Sequence, residues 1–119
     1  MPANSQFVAF IAELLAPMGP LAAGRFFGGH AFKSGDVQFA MIMGSTLYLR
    51  VDDETRPAFE EKGAKPFSYG KKERRVSVKT YYTAPEELLD EPDELVVWAH
   101  RALDTAIRSP TNSGPRKRK

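Results

Sequence analysis

At 119 residues, with 42% hydrophobic and 27% charged side chains, the chain has the make-up of one globular domain with a single modest core. It contains no cysteine, which excludes disulfide staples, thiolate metal sites and a cysteine nucleophile, and fits a reducing compartment. The net charge is +2, but Arg116, Lys117, Arg118 and Lys119 carry four positive charges, and removing these leaves residues 1–115 at −2. That balance argues against an evenly basic nucleic-acid-binding surface.

No apolar run approaches the roughly 20 residues that span a bilayer. Met1 to Leu15 lacks the basic start of a secretory signal, and Glu13 interrupts its apolar part. A cytoplasmic protein is expected.

Phe7, Phe10, Ile11, Leu14 and Leu15 recur at helical spacing and predict a first helix, capped by Asn4 or Ser5 and ended by Pro17, Gly19 and Pro20. Arg25 to Phe32 reads as a strand in which Gly28 and Gly29 mark a bulge or a close backbone approach. A turn at Lys33-Ser34-Gly35-Asp36 leads to a strand from Val37 to Met43 with one strongly apolar face. Leu47, Leu49 and Val51 form the next strand, completing an antiparallel meander.

Asp52, Asp53 or Thr55 can cap a short helix carrying Ala58 and Phe59. Phe67–Tyr69 and Val76–Tyr82 predict a hairpin around a polar turn, with Val76, Val78, Thr80 and Tyr82 on one side and Arg75, Ser77, Lys79 and Tyr81 on the other. Thr83-Ala84-Pro85-Glu86 has the form of a capping box. A last helix follows, its apolar face marked by Leu95, Trp98, Ala99, Ala102, Leu103, Ala106 and Ile107.

The order α-βββ-α-ββ-α predicts an α+β fold, a two-layer sandwich with a five-stranded antiparallel sheet and helices on one face. The domain should span residues 1–109. Residues 110–119, rich in Ser, Pro, Gly, Asn and basic side chains, should form a disordered basic tail.

Candidate chemistry is sparse. His30 and His100 lie in different elements without carboxylates at metal-ligand spacing. The carboxylates at 52–54 and 86–94 gather where helices begin, where the helix dipole favours them. Gly28-Gly29 lacks phosphate-loop spacing, and no serine sits in a nucleophile elbow. No catalytic residue, metal site, cofactor or small-molecule substrate is expected.

One basic cluster remains, comprising Lys71, Lys72, Arg74, Arg75 and Lys79, close in sequence to Tyr69, Tyr81 and Tyr82. It has two readings. Interleaved cations and rings can bind a nucleic-acid backbone and stack bases, with the tail of Arg116, Lys117, Arg118 and Lys119 adding phosphate affinity. Alternatively, the charges keep a sheet edge from pairing with another chain.

Several segments resemble the TfoX/Sxy family, specifically its N-terminal domain. They are Leu14-Leu15-Ala16-Pro17-Met18-Gly19-Pro20, then Arg25-Phe26-Phe27-Gly28-Gly29, Leu47 to Asp52, Arg56 to Phe59, Pro66 to Tyr69, Ser77 to Tyr82 and Leu89 to Ala99. The resemblance covers about residues 5–108. It implies a YgaC-like or secretion-chaperone-like two-layer fold and a non-enzymatic regulatory or protein-interaction domain. Full-length relatives of this kind regulate natural competence with the catabolite-activator protein and carry a second, helical domain, where this chain has its basic tail.

The resemblance transfers no catalytic residues. A protein partner, with the transcription machinery one source of it, or self-association is the resulting expectation, with Arg25, Phe27, Gly28, Gly29, Tyr69 and Tyr81 as candidate contacts. Nucleic-acid binding through the basic hairpin and tail is the alternative, and DNA binding is expected to be weak.

Overall fold

The computed structural model describes residues 3–26, 28–70 and 72–108. Its elements are α1 (Ser5–Leu14), β1 (Ala22–Phe26), β2 (Gly29–Ser34), β3 (Val37–Met43), β4 (Thr46–Arg50), α2 (Arg56–Glu61), β5 (Pro66–Tyr69), β6 (Val76–Thr83) and α3 (Pro92–Arg108). Short 3₁₀ turns cover Ala16–Met18, Lys72–Arg74 and Glu86–Asp90. The strands form one antiparallel sheet in the order β1-β2-β3-β4-β6-β5. The fold is α+β, and α3 lies across β3 and β4.

The sheet has six strands where five were expected, because Arg25–Phe32 is not one bulged strand. Gly28 has a φ of 82°, so the chain reverses there, and β1 pairs back onto β2 with Phe26 opposite Gly29. Gly29 is needed for a different reason: a Cβ on it would run into the Ile42 carbonyl oxygen and the Met43 sulfur.

Asn4 caps α1: its Oδ1 accepts from the amides of Gln6 and Phe7, both at 3.0 Å. Its own N–H donates to the Gly44 carbonyl at 2.8 Å, tying the helix start to the β3–β4 turn. Ile11 and Leu15 point into the core, whereas Phe10, expected on the apolar stripe, is exposed, its ring tilted 40° against that of Phe7 at 6.2 Å. On α3 the buried face is Leu95, Trp98, Ala99, Ala102, Thr105 and Ala106. Its three alanines let the helix lie close to the sheet. Ile107 was placed on this face by periodicity but is 56% exposed.

Two irregularities decide which strand residues face the helices. Between Phe32 and Lys33 the β2–β3 register shifts, their partners being Ala40 and Gln38, so Phe39 is the extra residue of a bulge. Phe39 and Ala40 therefore both join the helix-side core, and Met41 and Met43 fall on the other side. Consequently β3 is buried on both faces from Phe39 to Met43, not on one alone.

The second shift is in the last hairpin, where Pro66 opposes Tyr82 but Phe67 opposes Val78. It breaks the expected alternation and gathers Val78 and Tyr81 on the face away from the helices, while Tyr82 joins the main core. The Thr83–Glu86 capping box does not form either. Thr83 ends β6, and its Oγ1 accepts from the Lys65 amide at 3.0 Å. The turn that follows has Pro85 at its N-cap and no side-chain cap.

The main core thus combines α1, α2 and α3 with one sheet face. Trp98 meets Phe59 edge-on at 4.8 Å, and Phe59 in turn meets Tyr82 at 6.5 Å. A smaller cluster of Met41, Met43, Phe67 and Tyr81, flanked by Tyr48 and Val78, occupies the opposite face.

Candidate functional site

Several side chains with acid–base character serve the structure. Asp52 Oδ1 accepts from the amides of Glu54 and Thr55 at 3.0 and 2.9 Å, and Thr55 Oγ1 accepts from the Asp52 amide, forming the lead-in to α2. Burial pushes the Asp52 carboxyl up, but the Thr55 and Glu54 hydrogen bonds and the Arg108 charge outweigh it and hold the group below its usual range. Asp53 pairs with Arg56 at 2.7 Å, and Glu87 with Lys62 at 3.1 Å. Tyr82 Oη donates to Glu60 Oε2 at 2.7 Å; burial first, and this bond second, raise the phenol's pKa.

His30 and His100 are not brought together. His30 lies on β2 against Phe32, at a ring distance of 4.8 Å, and partial burial lowers its pKa. His100 is exposed on α3. Among the described residues no group of three or more His, Asp or Glu side chains could hold a metal ion. None of their helices is long and apolar enough to cross a membrane.

The expected contact residues separate to the two ends of the sheet. Arg25, Gly28 and Gly29 line an open groove of about 580 Å³ between the start of α1 and the β1–β2 hairpin. It adjoins an apolar groove of about 410 Å³ lined by Val8, Leu15, Leu21, His30 and Phe32. Tyr69 and Tyr81 lie toward the other end, on β5 and β6. Phe27 and Lys71 fall outside the described residues, as do Arg116, Lys117, Arg118 and Lys119, so the expected tail lies outside them too.

Of the two tyrosines, only Tyr69 is exposed. Tyr81 is 1% exposed, packed in the smaller cluster with its Oη accepting from Gln38 Nε2 at 3.1 Å, so it supports the face without presenting a ring. The bulge that buries it reflects cross-strand register, which local alternation does not reveal. Arg50, opposite Tyr81 on β4, is also buried, and this burial lowers its pKa against the opposing influence of Tyr81 and Asp52.

Above these groups the rings of Tyr48, Phe67 and Tyr69 form a row. Tyr48 and Phe67 meet edge-on at 5.3 Å, and Phe67 and Tyr69 stack at 6.1 Å. The row passes from partly buried Tyr48 through buried Phe67 and ends on Tyr69 and its cross-strand partner Val76, which are 39% and 47% exposed. Val76 is a member of this surface that the sequence reading did not select; its sign in the sequence is an apolar residue directly after five basic or acidic ones.

Three described cations share the hairpin with that pair. Arg74, Arg75 and Lys79 are all exposed, and among the described residues no carboxylate lies within ion-pair distance of them. Arg75 Nη2 donates to Ser68 Oγ at 2.7 Å, and the Lys79 carbonyl accepts from Arg56 Nε at 3.2 Å, so two hydrogen bonds brace the hairpin. The arrangement offers an apolar pair, fixed positive charge and a terminal strand, which suits binding rather than bond-making.

No curated protein matches the chain. The TfoX N-terminal domain family, in contrast, matches residues 13–106, a span from α1 to the last turns of α3 that takes in the whole sheet. The chain therefore belongs to the TfoX N-terminal domain family.

Proposed function

We propose that the chain is a regulatory protein-binding domain that acts through the β5–β6 end of its sheet and carries out no chemistry of its own. The observation that carries this reading is the exposed Tyr69–Val76 pair, set among Arg74, Arg75 and Lys79 on a braced hairpin. Family membership supports it, since the resemblance implies a regulatory role beside a transcription protein. Asp52 is engaged in a turn, and Asp53 and Glu87 in ion pairs.

The nucleic-acid reading finds less support. Base stacking needs exposed rings, and on this hairpin Phe67, Tyr81 and Tyr82 are buried, leaving Tyr69 alone. Affinity capture from the native cell, quantified by mass spectrometry, tests the proposal with the wild-type chain beside a Tyr69→Ser/Val76→Ser double variant. The expected result is at least one protein recovered by the first and lost by the second. Identical recoveries would contradict it.

A further inference from the structure

We infer that the partner presents an extended segment alternating acidic with apolar residues, and that this segment docks as an added strand on the outer edge of β5. The inference rests on the protein-binding reading above and specifies the chemistry of its partner. Strand β5 ends the sheet, and among the described residues no strand pairs with its outer side. Such an edge offers a row of backbone donors and acceptors that another extended chain can satisfy.

The side chains along this edge are sorted by face. Phe67 and Tyr69 point away from the helices with Val76 and Val78, and the exposed end of that face is apolar. Ser68 alternates to the other side, where its hydroxyl holds the Arg75 guanidinium at 2.7 Å. An incoming strand alternates in the same way, so its residues meet an apolar surface on one side and a fixed cation on the other. Charge complementarity then selects carboxylates for the second set, reinforced by exposed Arg74 and Lys79.

Among the described side chains of the opposite edge strand, β1, the exposed ones are Ala22, Ala23 and Arg25, a cation without the Tyr–Val pair found at β5. A protective role for the hairpin cations explains charge beside an edge, but not an exposed Tyr–Val pair at the same place.

The test uses the full chain and four fluorescent probes: a blocked octapeptide alternating Glu with Val, its Lys–Val and Glu–Ser counterparts, and a dodecameric oligo-dT. The Glu–Val peptide should bind, weaken as salt is raised, and increase amide protection within residues 66–69. An Arg74→Glu/Lys79→Glu variant of unchanged melting temperature should bind it at least tenfold more weakly, and the Lys–Val and Glu–Ser peptides should bind at least tenfold more weakly to the wild type. Failure of the Glu–Val peptide to bind, equal binding of the Lys–Val peptide, tighter binding of oligo-dT, or protection elsewhere would each overturn the inference. So would light scattering showing that a second copy of the chain already occupies the edge. If capture from cells succeeds while the peptide fails, protein binding stands and the strand-addition chemistry falls.

Discussion

Single residues fix the geometry on which the two faces depend. At Gly29 a methyl group would meet the Ile42 carbonyl and the Met43 side chain, so β2 and β3 would have to part. Gly29→Ala should cost about 1–3 kcal/mol, read as a lower midpoint in urea. Asn4→Ala, which leaves two first-turn amides without their acceptor, should cost about 1 kcal/mol in the same measurement. Asp52 links residue chemistry to pH. Its folded pKa lies below the ordinary 3.8, so its contribution to stability is full above that value and is lost as pH falls through the folded pKa. Thermal melts of wild type and Asp52→Asn from pH 6 downward should converge as acid removes the wild-type advantage; curves that stay parallel would contradict this assignment.

At the scale of elements, the sequence was most legible where one residue pattern determines one outcome. Helical spacing from Phe7 to Leu15 and from Leu95 to Ala106 marked α1 and α3, and the polar stretch after Tyr69 marked the last hairpin. It was least legible where register between strands decides. The bulge at Phe39 and the slip opposite Pro66 arise from how neighbouring strands align, and no residue type at those positions announces them. The same limit hid the status of Tyr81, which alternation placed beside Arg75 and Lys79 as a candidate contact but which lies under the surface. The basic cluster itself was readable from composition; the row from Tyr48 to Tyr69 was not, because it is assembled from β4 and β5, about 20 residues apart in sequence. These differences separate support from contact experimentally. Tyr81→Ala should lower stability by about 3–5 kcal/mol, as expected for a large buried ring, whereas Tyr69→Ser with Val76→Ser should stay within about 1 kcal/mol of wild type in chemical denaturation.

The whole molecule divides its work between the sides of one sheet. Three helices and their ion pairs consolidate the first side, with Arg108 of α3 reaching Asp52 at 3.5 Å and Glu54 at 3.6 Å. The second side holds its own small cluster and ends in a cationic hairpin with exposed apolar side chains. On this account the helix side supplies stability and the β5–β6 end supplies recognition. The most direct test is hydrogen exchange on the domain alone and in complex with its captured partner. Slowed exchange concentrated in residues 66–79, with α1 and the 25–30 groove unchanged, is the predicted result; protection centred on that groove or on the outer face of α3 would contradict it.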